Sequence, residues 1–431
     1  MTPAARLSAA IEVLDDVASR RRPAADALKD WGLARRFAGS GDRAAIAGLV
    51  YDVLRRRASA SWLMGADTSR ALLLGTLRLG RDLTADGVAG LCTGKRFAPA
   101  PLSEDERSRL LSGSLDGAPD HVRGDVPEWL APAFSRVFGD DFVAEAAAFA
   151  ERAPLDLRVN TLKASREAVA IELAHLGAAA TPWSPVGLRV QADPKGRAPS
   201  VQSDPTFLRG EIEIQDEGSQ LAALLAHPGP SGQVVDLCAG AGGKTLALAA
   251  LMNNGGQIYA TDSDQRRLAP IHDRLSRAGV RNVQVRTPRG RQDAVADLDG
   301  SADLVFVDAP CTGTGTWRRN PDAKWRVRPG ALEIRMRDQA AVLDRAADLV
   351  RPGGRIAYVT CSMLPDENDE AIRAFRERRP GFDPVPPAAI LAGAGLSDLA
   401  GASRETEFGR QMTPLRTGTD GFYVALLRRE G

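Results

Sequence analysis

Gln233-Val-Val-Asp-Leu-Cys238, running into Ala239-Gly240-Ala241-Gly242-Gly243-Lys244-Thr245, decides the fold. A β-branched apolar run breaks into a loop of small residues and then into an Ala/Leu-rich stretch reaching about Met252, which reads as strand, turn and helix. Working outward, Gln257 to Thr261 is a second strand ended by Asp262, and a helix follows to about Ala278. Val283 to Arg286, Ala302 to Val307 and Arg355 to Thr360 supply three more strands, with a helix from about Pro329 to Val350 before the last. Strands alternating with helices predict an α/β fold, a doubly wound parallel sheet of the Rossmann-like kind. Gly421 to Leu427 reads as a closing strand, with an antiparallel placement open to it.

Three ligands compete for the loop. A phosphate-cradling G-x-x-x-x-G-K-[ST] loop would end on Gly243-Lys244-Thr245, but its opening glycine would fall at Cys238. A dinucleotide G-x-G-x-x-G starts at Gly240 and Gly242 and fails at Thr245. A nucleoside without a pyrophosphate survives, with Asp262 accepting hydrogen bonds from both ribose hydroxyls. That is the arrangement of enzymes that use S-adenosyl-L-methionine, with Cys238, Ala239, Gly240, Ala241, Gly242, Gly243 and Lys244 as the cofactor loop. Within that loop Cys238, at the end of a strand, reads as a packing residue.

A second stretch delivers chemistry. Leu304-Val-Phe-Val307 has the unbroken apolar character of a strand covered on both faces, and it runs into Asp308-Ala-Pro-Cys311-Thr-Gly-Thr-Gly315. Ligands of open α/β sheets sit beyond the carboxyl ends of the strands, so Asp308 and Cys311 fall where chemistry is expected. Taken alone, Cys311 reads rather as a small buried apolar residue than as a reactive thiol.

A chain of 431 residues is long for one core. A formal net charge of +1 predicts no polyanion partner from the global balance. Charge is uneven, however: residues 1 to 57 hold eleven Lys/Arg against seven Asp/Glu, with runs at Arg20-Arg21-Arg22 and Arg55-Arg56-Arg57. Such runs are either solvated helix faces or a polyanion footprint. Six lysines stand against fifty arginines, which makes Lys244 and Lys324 conspicuous. Cys92, Cys238, Cys311 and Cys361 lie far apart without a C-x-x-C, and the four histidines form no metal-spaced pair. With no signal-peptide core at Met1-Thr-Pro-Ala-Ala-Arg6 and no membrane-length apolar run, a cytoplasmic chain with reduced thiols, no membrane partner and no metal is expected.

Residues 1–122 read as all-helical, with apolar spacing at Leu7, Ile11, Leu14 and at Ile46, Leu49, Val50, Val53, Leu54, the second helix starting near Ser40-Gly-Asp42. Pro99 to Asp125 interrupts the pattern. A helix from Pro127 toward Pro154, strands at Leu155–Asn160, Gly187–Val190 and Ile212–Gln215, and a helix from about Ser165 to Leu176 stopped by Gly177 make residues 127–225 a small α+β module. Residues 226–431 then form the doubly wound domain.

With Asp308-Ala-Pro-Cys311-Thr-Gly-Thr-Gly315 and Val359-Thr-Cys361-Ser362 through Pro365-Asp-Glu-Asn368 both in view, the chain resembles the Sun family of RNA cytosine-5 methyltransferases. The likeness extends to Arg318-Arg-Asn-Pro-Asp322 with Lys324-Trp325, to Leu157-Arg-Val-Asn160, to Gln215-Asp216 and to Asp420-Gly-Phe422, and covers about residues 127 to 431. Residues 1–122, mainly through Asp42 to Arg57, resemble the antiterminator-type RNA-binding domain of some bacterial members.

The resemblance implies an S-adenosyl-L-methionine-dependent enzyme that methylates carbon 5 of a cytosine in RNA, small-subunit ribosomal RNA first, acting as a monomer. It assigns Cys361 as the nucleophile, Cys311 to resolving the adduct, Asp308 to the target base and the cofactor, and Lys244 to the space between Asp308 and the methionine end of the cofactor. Carbon 5 of cytosine is a poor nucleophile, and thiolate addition at carbon 6 makes the ring an enamine that can attack a sulfonium methyl group.

Two departures stand out. The family usually has Ala-Pro-Gly-Gly-Lys where this chain has Gly240-Ala241-Gly242-Gly243-Lys244, which predicts a softer loop. Where the family offers an aspartate to the adenine amino group, this chain runs Val285-Arg-Thr-Pro-Arg-Gly290, and no residue is assigned to that contact. Transfer RNA is the alternative substrate, and a non-catalytic RNA-binding or ribosome-assembly factor is the alternative of a different class.

Overall fold

The computed structural model describes residues 1–191, 199–288, 290 and 292–431. By their contacts these fall into two compact units, Met1–Arg152 with Thr316–Arg328, and Ala153–Gln191 with 199–315 and Pro329–Gly431.

The first unit is helical. Helices α1 (Pro3–Arg20), α2 (Ala24–Ala34), α3 (Ser40–Arg55), α4 (Arg57–Met64) and α5 (Ser69–Gly80) pack around Leu7, Leu14, Ile46, Val50, Val53 and Leu77, the stripes that the three-to-four-residue spacing predicts. Thr2 caps α1 through its hydroxyl, whereas Asp42, inside the first turn of α3, binds the amino terminus and Arg6. The Pro99 to Asp125 stretch is not merely a break. It contains a helix at Glu104–Ser112 opened by a reciprocal capping box between Ser103 and Glu106. The helix expected from Pro127 is interrupted at Gly139, whose φ of 52° and ψ of −126° suit glycine alone.

Residues Thr316–Arg328 belong to this unit through aromatic packing. The Trp317 indole stacks on Phe134 at 5.6 Å and meets Phe149 edge-on, and Trp325 Nε1 donates to the Leu54 carbonyl at 2.6 Å. Lys324 is fully enclosed beside these rings and donates to the Arg55 carbonyl at 3.1 Å. Burial draws its pKa down to about 8 against the pull of Asp125.

The second unit holds two sheets. The smaller is antiparallel in the order β2-β3-β1-β4, with β1 at Leu155–Val159, β2 at Ala179–Ala180, β3 at Gly187–Val190 and β4 at Ile212–Ile214. Its inner face (Leu157, Val159, Leu188, Ile212) buries against Val169 and Leu173. The helical turn ends where expected, at Gly177 with φ 67°.

The larger sheet comprises β5 (Gln233–Asp236), β6 (Gln257–Ala260), β7 (Val283–Val285), β8 (Ala302–Asp308), β9 (Val350–Thr360), β10 (Phe382–Pro384), β11 (Arg404–Glu405), β12 (Gly409–Met412) and β13 (Phe422–Arg429). Their order is β11-β12-β13-β9-β8-β5-β6-β7, with β10 beside β13. The pairs among β5 to β9 are parallel, and the closing strand β13 is antiparallel to β9. Strands β10 to β12 extend the sheet beyond the sequence reading. Leu304, Val305, Phe306 and Val307 are at most 1% exposed in β8, between β5 and β9. Burial of such side chains stabilises by about 1.5–3 kcal/mol each, which explains the unbroken apolar run. The expected helix after Asp262 is two, Gln265–Leu268 and Ile271–Ala278, because Pro270 offers no amide hydrogen to continue the first.

The chain leaves β5 for β6 and β7 on one side and returns to β8 and β9 on the other. The crevice at the carboxyl ends of β5 and β8 is therefore the switch point where open α/β sheets bind ligands. Among the described residues, no helix is long and apolar enough to cross a membrane.

Candidate active site

The loop after β5 fills one wall of that crevice. Gly240 and Gly242 take left-handed φ values of 50° and 82°, so the helix starts at Gly243 rather than directly after Cys238. A Cβ on Gly242 would lie 2.5 Å from Ile271 Cγ1, so no larger residue fits there. The softness expected from the missing proline is met by two arginines: Arg274 Nη1 donates to the Ala241 carbonyl at 2.8 Å and Arg158 Nη1 to the Gly243 carbonyl at 2.7 Å. Arg158 comes from the Leu157-Arg-Val-Asn160 stretch of β1, and it also holds Gln215.

The loop fits a nucleoside ligand on observations of its own. Asp262, 2% exposed, accepts from Gly240 N at 2.9 Å on Oδ2 and from Asp264 N at 2.9 Å on Oδ1. A carboxylate has about four lone-pair positions, so acceptor capacity remains for a diol. Asp236, at the end of β5, accepts from Thr245 Oγ1 on one oxygen, while its buried Oδ1 has no partner among the described residues. Burial outweighs the Thr245 bond and pushes this carboxyl up to about 7, and a cationic ligand group would satisfy the orphaned oxygen. The Cys238 thiol is pushed up by burial and by the neighbouring Asp236, Asp308 and Asp262, which keeps it neutral, in keeping with a packing role. In the run Val285 to Gly290, Arg289 lies outside the described residues.

Across the crevice, Lys244 Nζ donates to Asp308 Oδ2 at 2.7 Å and lies 5.2 Å from the centre of the Phe422 ring. Burial pulls the Lys244 pKa down, but the Asp308 charge and hydrogen bond pull it up further, so the ammonium keeps its charge. The Asp308 side chain is about one-third exposed.

The two thiols are brought together by strand register. In the parallel β8/β9 pair, Asp308 stands opposite Val359, so the residues that follow each strand emerge side by side. The loop from Ala309 stays beside the end of β9 and the residue after it, with Ala309 N bonded to the Val359 carbonyl and Gly315 N to the Cys361 carbonyl. Gly315 is required because a Cβ there would sit 2.2 Å from the Gly421 carbonyl oxygen. Cys311 Sγ and Cys361 Sγ end 3.3 Å apart, too far for a disulfide and within thiol hydrogen-bonding reach. The Cys311 pKa is driven well up, first by its hydrogen bond to Cys361 and then by burial.

One residue that the sequence reading quoted without a role holds this geometry. Glu367, fully buried, accepts from Thr312 N at 2.8 Å and Gln339 Nε2 at 3.0 Å on Oε1, and from the hydroxyls of Thr312 and Ser362 on Oε2. Burial raises its pKa against these four bonds. It thereby ties the residue after Cys311 to the residue after Cys361. Asn368 adds bonds to Thr360 Oγ1 and the Ser362 carbonyl. Asp236, Arg158, Arg274 and Glu367 were not singled out from sequence; a charged residue inside an apolar or motif stretch was the available signal.

The structure thus brings Lys244 to Asp308 and Cys311 to Cys361, and sets Asp262 beside Gly240. The family described as 16S rRNA methyltransferase RsmB/F matches residues 223–428, and the ferredoxin-like domain of RsmF/B-like methyltransferases matches residues 126–195. A probable ribosomal RNA small subunit methyltransferase B of Synechocystis is 35% identical over 58% of this chain and 56% of its own length. Ribosomal RNA small subunit methyltransferase B of Erwinia tasmaniensis is 30% identical over 92% of this chain and 93% of its own. Among solved structures, a methyltransferase homolog protein from Pyrococcus horikoshii superposes with a TM-score of 0.60 at 28% identity, over 73% of this chain and 99% of that one.

Proposed function

The chain belongs to the RsmB/F family of 16S rRNA methyltransferases, and from that premise we propose that it methylates carbon 5 of a cytosine in small-subunit ribosomal RNA through a covalent adduct on Cys361. The observation that carries the cytosine-5 reading is the pair of thiols 3.3 Å apart at the switch point, beside a lysine-held carboxylate. A methyltransferase acting on an oxygen or an exocyclic nitrogen needs no thiol, and one acting through a simple base needs no second one.

Bound S-adenosyl-L-methionine supplies the sulfonium methyl group. The loop from Cys238 to Lys244, with Asp262 and Asp308, would hold it, the spare acceptor capacity of Asp262 suiting a ribose diol and the orphaned oxygen of Asp236 a cationic group. Cys361 adds as thiolate to carbon 6, and the electron pair released into the ring makes carbon 5 nucleophilic. Asp308 faces the ring-nitrogen and amino edge of the base, held in place by Lys244. After transfer, Cys311, having given its own proton to water, takes the carbon 5 proton as thiolate; the C–H electron pair re-forms the carbon 5–carbon 6 double bond and expels Cys361 as thiolate, leaving Cys311 a thiol. All of these groups lie in one unit of one chain, which supports action as a monomer. We assign catalysis to residues 226–431 and RNA contacts to 127–225 and 1–122, and place the protein in the cytoplasm with its RNA.

Glu367 acts here only by position. Glu367→Gln swaps an acceptor oxygen for an amide donor against hydroxyl and amide donors, loosening the two loops. Displacements of about 1 Å can cost on the order of 100-fold, so kcat is expected to fall by about 10- to 100-fold while S-adenosyl-L-methionine affinity stays within about twofold. Parallel turnover assays and titration calorimetry check both halves.

The reading itself is tested by incubating the full chain with unmodified ribosomal and transfer RNA and S-adenosyl-L-methionine, followed by bisulfite sequencing. A bisulfite-resistant cytosine in small-subunit ribosomal RNA is expected. Protection in transfer RNA only would transfer the activity to the alternative substrate, and no protection anywhere would contradict it.

A further inference from the structure

Two runs of three arginines stand in the helical unit, and they differ in what surrounds them; in the second, Arg57 pairs locally with Asp67 at 2.6 Å. Arg20 and Arg22 pair with Asp16, and Arg22 also with Asp30. Arg55 and Arg56 line a pocket of about 710 Å³ together with residues of α1, α3 and α5. Asp52, Arg55 and Arg56 lie three and four residues apart at the end of α3 and so share a face. Arg6, Arg81 and Arg152 bring three more guanidiniums to the same wall.

The charges there do not balance. Asp52 alone serves Arg81 at 2.8 Å, Arg152 at 2.8 Å and Arg55 at 4.0 Å. Arg56 pairs with the largely exposed Glu151, and Arg6 shares Asp42 with the amino terminus. Five guanidiniums therefore face two lining carboxylates, Asp52 and Glu151. Arg55 Nε is buried without a partner among the described residues. Arg56 runs close over Gly80, where a Cβ would lie 2.7 Å from its Nε.

We propose that this pocket binds the phosphodiester backbone of the RNA substrate, with Arg56, Arg81 and Arg152 as the phosphate contacts. The choice of RNA over another polyanion rests on the methyltransferase reading above. Guanidinium forks match phosphate oxygens in pairs, and the shared Asp52 fixes three of them before the RNA arrives. An RNA held here gains affinity without any base being read, which suits a docking contact rather than the choice of target.

Fluorescence anisotropy of the full chain with a labelled small-subunit ribosomal RNA transcript, over a series of salt concentrations, tests this. Arg56→Gln and Arg81→Gln combined should weaken binding at least about tenfold near 0.1 M salt, and the log–log salt slope should shrink by about one for each arginine removed. Affinity for S-adenosyl-L-methionine and the melting temperature should not move. Arg81 also holds Asp52, so if that variant melts early, Arg56→Gln alone carries the test, since Arg56 pairs with the exposed Glu151. An RNA Kd within twofold of the parent and an unchanged slope would overturn the proposal. So would stabilisation by inorganic phosphate with RNA affinity indifferent to both substitutions, which would make the pocket a small-anion site. RNA affinity is read without turnover, so a chain that binds RNA here yet leaves carbon 5 unmethylated counts against the proposed reaction alone.

Discussion

Cys361→Ala is expected to lower methyl incorporation into small-subunit ribosomal RNA below detection, a loss of at least about 10⁴-fold, since carbon 5 then has no route to nucleophilic character. The sulfur lies at the open end of β9 and is only half-buried, so its removal costs about 1 kcal/mol of packing and a few degrees of melting temperature. The cofactor loop hangs on β5 and is braced by Arg158 and Arg274, so S-adenosyl-L-methionine affinity should persist. Scintillation counting of transferred methyl groups alongside titration calorimetry separates lost chemistry from lost folding. Turnover like that of the parent would remove Cys361 from the reaction.

Cys311→Ala is expected to fail differently. Addition to carbon 6 and methyl transfer need only Cys361, whereas release needs the carbon 5 proton removed. Without the neighbouring thiol, 3.3 Å away, the adduct should accumulate toward one RNA per protein and survive denaturation as a retarded band. The Cys311→Ala, Cys361→Ala double variant should show no such band. A Cys311→Ala enzyme that turns over freely would make the second thiol a packing residue.

How far the sequence reached can be argued from these residues. The strand, glycine-rich loop and helix from Gln233 to Leu251 were legible because each step follows from local chemistry, while the left-handed φ of Gly240 and Gly242 was not. The proximity of Cys311 and Cys361, fifty residues apart, followed from the resemblance alone; its physical cause is the Asp308 to Val359 register of two parallel strands. Glu367 was quoted but its role could not be read, since its four partners come from three separate segments and converge only when both loops are folded. The same holds for Thr316–Arg328, which continues the Cys311 loop in sequence but packs Trp317 on Phe134 in the helical unit. The helix breaks at Gly139 and Pro270 were written in the residues and passed over in favour of longer apolar periods. The short strands β10 to β12 carry no alternation long enough to announce themselves.

The account turns on which sulfur bonds the base. Cys311→Ala protein, incubated with RNA and S-adenosyl-L-methionine, denatured, treated with nuclease and protease and read by mass spectrometry, gives the answer directly. A methylated cytidine nucleotide on the peptide that contains Cys361 is the predicted result, and a nucleotide carried elsewhere, or no covalent nucleotide at all, would contradict it.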